Sequence, residues 1–428
     1  MYKEKKADEA QKLVKERENL IEREKKEAAY VEKMQQLRDE HWSQIGNIVH
    51  PSVPVSSSEE DNVECKKWGT PKPVTDAPLH HSEVLHRIDG VNVESGIAIA
   101  GHRGYFLKGP GVFLNQALIN YAISFLTNKK FGKLGGKKAE EHEGKHNYQI
   151  LQTPLFMNQD VMAKTAQLSD FDEQLYKVTG SKDDEPKYLI ATSEQPISGY
   201  HLGEWMYESQ LPRRYLGYST CFRKEAGSSG RDLRGIFRIH QFEKVEQFCI
   251  TEPEDSWEMH EEMLKNSEEF YQSLGLPYHV ILIASGALND AASKKYDLEA
   301  WFPNTQEYRE LVSCSNCTDY QSRRLGIRCG FDTGKEKKFV HMLNSTLVAT
   351  ERTLCCILEN YQTAEGVNVP EVLQPFCHGI KFFPFVRDLP KEEEKKDDKP
   401  KKKDDKKDKK KDDKPKKEKK DDKKKEEK

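Results

Sequence analysis

Residues 219–248, STCFRKEAGSSGRDLRGIFRIHQFEKVEQF, bring charged and aromatic side chains together at even spacing. The two ends of this run are rich in aromatic and β-branched residues, and GSSGRDLRG between them is rich in Gly, Ser and charge. That pattern predicts strands over 219–226 and 236–250 joined by a long loop. Side chains alternate between the faces of a strand. Arg223 and Glu225 then share one face of the first strand, and Arg238, His240, Phe242, Lys244 and Glu246 share one face of the second. A solvated hairpin has no use for such a set, whereas a pocket for a nucleotide and a zwitterion does. Guanidinium forks match phosphate oxygens, an aromatic ring stacks on a purine, and a carboxylate holds an ammonium group.

Other residues are read against the same chemistry. Thr192, Ser193 and Glu194 close a short apolar strand and precede a helix expected over 196–208. They suit either a polar subsite or a helix N-cap, and the pattern leaves both open. Arg352 opens an apolar helix, where its charge opposes the dipole. A polyphosphate at that end accounts for it better than a distant carboxylate, though both remain possible from the pattern. Cys314 and Cys317 form one CxxC, but Cys329 alone supplies no second pair, so no structural zinc is expected. The spacing of His80, His81, His86 and His102 fits no ligand pattern and is read as surface or satisfied histidine.

Phe222-Arg223-x-Glu225, the loop, and His240-Gln241-Phe242-x-Lys244-x-Glu246 resemble motif 2 of the class II aminoacyl-tRNA synthetases, in the form found in cytosolic seryl-tRNA synthetases. The helix–strand–Pro154 order over 111–157 resembles motif 1, and the run 338–362 with Arg352 resembles motif 3. The likeness extends from about residue 48 to 387, and neither class I signature occurs. It implies an α+β fold with the class II antiparallel sheet flanked by helices, a cytoplasmic homodimer without membrane contact, and a ligase acting on ATP, L-serine and tRNA-Ser, with tRNA-Sec as a further acceptor. Mg²⁺ would accompany ATP.

The resemblance also implies roles. Arg223, Glu310 and Arg352 would be catalytic, with Arg223 bridging the α-phosphate and the serine carboxylate. Glu225 would accept from the adenine amino group, and Phe242 would stack on adenine with Arg352 on the opposite face. Arg238 would hold the outer phosphates, while Lys224, Ile239, His240, Gln241, Leu311 and Val312 complete the ATP-binding set. Glu310 and Ser313 would supply oxygens to Mg²⁺. Thr192, Glu194, Arg223, Glu246, Asn344 and Thr346 would surround serine, Glu246 and Thr346 taking its hydroxyl. Such a reaction relies on positioning and charge neutralisation more than on acid–base chemistry. Two alternatives stand beside it: a serine-activating protein with impaired tRNA charging, and a non-catalytic dimeric binding protein on the same fold.

The elements that would position these residues follow from periodicity. A helix is expected over 111–131, a strand over 148–157, a helix over 253–274, a strand over 278–284, and a strand carrying Asn344 and Thr346. Residues 3–48 lack Pro and reach Gly46 before any Gly, with apolar residues at helical spacing. They read as one amphipathic helix that needs a partner for its stripe. By resemblance it is the returning helix of an antiparallel tRNA-binding arm whose outgoing helix is expected upstream, so this stretch alone should bind tRNA weakly. Residues 133–147 read as an insertion. The expected domains are 1–47 as partial arm, 48–390 as catalytic domain, and 391–428 as a disordered tail of Lys, Asp, Glu and two Pro. The net charge of −3 hides a split, since the tail holds 21 Lys against 15 acidic residues and the rest holds 48 basic against 57 acidic. Global charge therefore does not mark a nucleic-acid binder. Nine scattered cysteines favour reduced thiols over a disulfide framework.

Overall fold

Apolar residues at alternating positions build a single large sheet, and apolar residues at helical spacing cover one of its faces. The computed structural model describes residues 2–75, 77–131, 134, 147–165, 174–180, 186–225, 232, 234–330 and 337–389. The elements that build the site are, in chain order, α1 (Tyr2–Ser43), β1 (Val63–Trp68), α2 (His81–Arg87), α3 (Val93–Ala100), α4 (Gly109–Thr127), β2 (Gln149–Gln152), α5 (Glu194–Ser198), β3 (Arg213–Phe222), β4 (Gln241–Thr251), α6 (Ser256–Ser273), β5 (Tyr278–Leu282), β6 (Lys294–Phe302), β7 (Glu307–Asn316), α7 (Tyr320–Leu325), β8 (His341–Ala349) and α8 (Thr350–Tyr361).

Eight strands form the sheet in the order β1-β5-β6-β7-β8-β4-β3-β2. Every neighbouring pair is antiparallel except the outermost, where β2 runs parallel to β3. The alternation on β4 shows how the layers arise. Val245 and Cys249 face the helices and join Met263 and Leu264 of α6, Leu118 of α4 and Leu354 of α8 in the main core. Phe248 and Ile250 face the other way, into a smaller core with Tyr215, Met342 and Ile327. Phe242, Lys244 and Glu246, alternating along the same strand, line a cleft.

Several boundaries differ from the sequence reading. The central strands end at Phe222 and begin again at Gln241, so Arg223, Glu225, Arg238 and His240 lie beyond the ladder. Left-handed backbone at Glu225, Asp232 and Gly235 (φ 50°, 65° and 79°) turns the chain out of register there. The single strand expected over 148–157 is two: β2 joins the main sheet, and Phe156–Asn158 pairs with Lys187–Leu189 instead. Pro154 separates them, having no N–H to carry a ladder through. The helix expected over 196–208 stops at Ser198, followed by one tight turn, and Trp205–Met206 pairs in parallel with Arg328–Cys329. Gly203 at φ 73° redirects the chain there. The helix expected over 111–131 spans Gly109–Thr127, that over 253–274 spans Ser256–Ser273 after a single turn, and the strand expected over 278–284 stops at Leu282. β1 went unread because all six of its residues are exposed, leaving no alternation to detect.

The N-terminal helix forms as expected, ending at Ser43, about 63 Å long at 1.5 Å per residue. Its apolar residues, among them Leu13, Leu20, Val31 and Met34, are exposed. The insertion at 133–147 and the tail 391–428 fall almost wholly outside the described residues. Among the described residues no helix is long and apolar enough to cross a membrane.

Candidate active site

Three central strands line one cleft: β4 through Phe242, Lys244 and Glu246, β7 through Glu310, Leu311, Ser313 and Ser315, and β8 through Asn344, Thr346 and Ala349. Arg223 and Glu225 just beyond β3, the segment Phe237–Ile239, Thr192 and Glu194 at the head of α5, Asn289, and Glu351 and Arg352 at the head of α8 complete the wall. Plain alternation does not produce this set. Glu310 and Ser313 are three apart on β7 and would face opposite ways on a regular strand. A β-bulge opposite Leu298 and Glu299 of β6 takes in Leu311 as an extra residue, so both oxygens reach the same side. The same device acts on β8. The pairing of β4 with β8 shifts between Val245 and Glu246, and Thr346 and Ala349 both reach the cleft.

Cations gather at one end. The Arg352 guanidinium donates to the Glu310 carboxylate at 3.2 Å and to the Glu310 carbonyl at 3.3 Å, and sits 4.9 Å from the Phe237 ring centre. Arg223 lies 5.2 Å from the Phe242 ring centre and donates to Ala191 O at 3.4 Å. Arg238 donates to Glu225 at 3.2 Å. Desolvation works against ionisation of Glu310, but Arg352, Lys295 and Arg223 together outweigh it and hold the carboxyl below the usual range. Asp297, paired directly with Ser313 across β6 and β7, is pushed up to about 7 by burial and then by Glu310. Glu351 is likewise pushed up to about 7, chiefly by burial, and accepts from Tyr105 OH, Thr350 Oγ1 and Glu243 N at 3.0 Å each.

Carboxylates gather at the other end. Glu246 is buried and its Oε2 takes both the Lys244 ammonium and the Thr192 hydroxyl, the latter at 3.4 Å. Glu194 accepts from Gln321 of α7 at 2.8 Å. Desolvation, then the Glu246 charge, pushes the Glu194 carboxyl up to about 7. Gly217 of β3, opposite Glu246, makes this proximity possible. A Cβ there would stand 2.4 Å from Ile197 Cδ1 and 2.6 Å from Ser193 Oγ, so the bare glycine lets α5 settle on the strand.

The cleft thus unites Thr192, Glu194, Arg223, Glu225, Arg238, Ile239, Phe242, Glu246, Glu310, Leu311, Ser313, Asn344, Thr346 and Arg352. It leaves out Lys224, His240, Gln241 and Val312. His240 and Gln241 line a neighbouring cavity, which shares Phe242 and Glu351 with the cleft, and Val312 is buried on the core side of β7. Sequence reasoning placed Lys244 on the pocket face without giving it a role, and missed Phe237, Asn289, Ser315, Ala349 and Glu351 as wall residues. Ser315 was open to detection, two residues from an assigned position on the same strand face, whereas Phe237 and Asn289 sit on irregular backbone without a period. Cys314 and Cys317 are both buried, and the latter's Sγ accepts from Asn344 Nδ2 at 3.5 Å. Among the described residues one group has metal-ligating atoms close together, His80, His81 and Glu359. There His81 is occupied by Glu359 at 2.9 Å, and its other nitrogen abuts Gly235.

Comparison with known proteins agrees with this geometry. Residues 176–361 match the family described as tRNA synthetase class II core domain (G, H, P, S and T). The cytoplasmic serine–tRNA ligase of Dictyostelium discoideum is 60% identical over 351 residues, covering 82% of this chain and 73% of that protein. The crystal structure of the cytoplasmic serine–tRNA ligase of Naegleria fowleri in complex with AMP superposes with a TM-score of 0.76 at 54% identity, covering 84% of this chain and 81% of that one. The seryl-tRNA synthetase of Pyrococcus horikoshii complexed with ATP gives a TM-score of 0.76 at 38% identity, over 84% of this chain and 80% of that one.

Proposed function

The chain belongs to the serine–tRNA ligases of class II, and from that premise we propose how its cleft divides the work. The reaction activates L-serine with ATP as seryl-adenylate, releases pyrophosphate, and passes the seryl group to tRNA-Ser, in the cytoplasm as for the relative from D. discoideum. The carrying observation is that one cleft holds both the arginines Arg223, Arg238 and Arg352, which suit a polyphosphate, and the Glu194–Glu246 pair with Thr192 and Thr346, which suits a small polar amino acid.

Arg223 stands between the two ends and bridges the α-phosphate and the serine carboxylate, neutralising charge that builds at phosphorus. Phe242 and Arg352 offer an aromatic face and a guanidinium to adenine and the outer phosphates, with Arg238 beside them. Glu225 accepts from Arg238 and offers its carboxylate to the adenine amino group. Thr192 and Glu194 take the serine ammonium, and Glu246 with Thr346 takes its hydroxyl. An analogue without the hydroxyl would leave those buried groups unpaired, which costs more than the lost contact.

The donor set suits Mg²⁺: Glu310 is held ionised by its cationic neighbours and shares a face with the Ser313 hydroxyl. The ion would neutralise the polyphosphate there. A homodimer is supported by exposed apolar side chains around the motif 1 region, Ile97 and Ile99 of α3, Phe106, Phe113 of α4, Ile150 and Phe156. The exposed stripe of α1 supports its assignment to an RNA-binding arm that another helix completes. Serine-dependent ATP–pyrophosphate exchange without tRNA, followed by charging of total tRNA, tests the reading. Exchange with another amino acid in preference to serine would overturn the pocket assignment.

A further inference from the structure

We propose that Lys244 sets the charge selectivity of the serine subsite: paired with Glu246, it leaves a carboxylate that accepts a hydroxyl and rejects a second ammonium group. The inference rests on the assignment of serine to this end of the cleft.

Lys244 and Glu246 alternate onto the same face of β4, and both line the cleft while being 7% and 2% exposed. Their ion pair engages Oε2 of Glu246, the oxygen that also accepts from Thr192. The remaining oxygen, Oε1, is the acceptor left for a substrate. A buried cation beside a substrate pocket requires an explanation, because desolvating an ion pair returns little stability and hydrophobic replacements often do as well. Selectivity supplies one. Without Lys244 the subsite would present two anions, Glu194 and Glu246, to a substrate carrying one ammonium. The ammonium could then settle at either, and an amino acid with a cationic side chain would satisfy both. With Lys244 in place, Glu246 is directly ion-paired while Glu194, which accepts from the neutral Gln321 amide, is left for the ammonium. Glu246 remains a strong hydrogen-bond acceptor, but a cation brought to Oε1 meets the Lys244 ammonium across the same carboxylate in a poorly solvated site. Rejecting a wrong ligand by a built-in like charge is a common route to specificity.

The sharpest probe is L-2,3-diaminopropionate, which replaces the serine hydroxyl by an ammonium with little change in shape. Pyrophosphate exchange would be measured on the full chain with serine and with this probe, for wild type and for Lys244→Met, with thermal unfolding as a check on folding. The ratio of kcat/KM for the probe to that for serine should rise at least about tenfold in the variant, since like-charge juxtaposition is worth several kcal/mol. The KM for ATP should move much less than that for serine. An unchanged ratio in a folded variant would refute the proposal. Should Lys244→Met fail to fold, wild type decides the matter through pH. It should use the probe only where its side-chain amine is neutral, and use of the charged probe as readily as serine would sink the idea. A wild type without serine-dependent exchange would instead strike down the serine-site assignment itself.

Discussion

Arg223 is the residue on which the chemistry turns, since it lines the cleft and, among the described residues, its guanidinium makes one long hydrogen bond, to Ala191 O at 3.4 Å. Arg223→Ala should lower kcat/KM in pyrophosphate exchange by on the order of 10³-fold, about 4 kcal/mol of transition-state stabilisation. Its unfolding midpoint should stay near that of wild type, and retained exchange would remove the residue from the mechanism. Glu246→Ala should raise the KM for serine far more than that for ATP, and equal changes would refute its assignment. Glu194 gives a pH dependence. Desolvation and Glu246 push its carboxyl up to about 7, so it is neutral below that pH and ionised above it. Only the ionised form attracts an ammonium, so kcat/KM for serine should climb as pH rises through about 7. Glu194→Gln should remove that limb, and its persistence would assign it to another group. These side chains were legible because motif spacing survives in a linear chain. His240 and Gln241 show the limit, since counting in twos placed His240 with Phe242 while the chain leaves the ladder before Gln241.

Among the elements, the bulges and the seat of α5 decide the shape of the cleft. Bulges cannot be read from composition, because the extra residue on β7, Leu311, is an ordinary strand residue beside Val312 and nothing in the local order marks it as unpaired. They bring Glu310 with Ser313, and Thr346 with Ala349, onto one face. The seat of α5 is testable. Gly217→Val would press into Ile197 and Ser193, displacing Thr192 and Glu194 from Glu246. Overpacking of this kind costs about 1–3 kcal/mol. The variant should therefore unfold at lower temperature and show a higher KM for serine with a smaller change for ATP. Equal KM changes would mean that α5 does not position the amino-acid end. The helices of the main core were foreseen in kind and nearly in extent because three or more turns of period leave a strong signal, as on α4 and α6.

At the scale of the molecule, apolar side chains of α3, α4 and the Phe156–Asn158 strand remain exposed, which suits a face that pairs with a second copy. Ile99→Asp, at a side chain 74% exposed, should cost little in the monomer's own stability. It should shift the species seen by analytical ultracentrifugation from dimer toward monomer, and an unchanged dimer would place the interface elsewhere. The mixed-sign tail should matter little for chemistry. Removing residues 391–428 should leave serine-dependent exchange within about twofold of wild type, since that segment of Lys, Asp, Glu and Pro carries none of the residues assigned to the reaction.

What the amino-acid order determined alone is the inventory: which cations, carboxylates and aromatics are present, how far apart they lie along the chain, and hence the chemistry they can support. Alternation and helical period follow from backbone geometry repeated over a few residues, so the sheet-and-helix plan was readable too. Tertiary structure decided which of those side chains meet. Ladder ends, bulges and a bare glycine under a helix depend on strands far apart in sequence, and no local period records them. The pairing of Lys244 with Glu246 beside Glu194 belongs to that class. Two of these residues share a strand face by simple counting, but only the packing of α5 onto Gly217 gives their charges a common pocket.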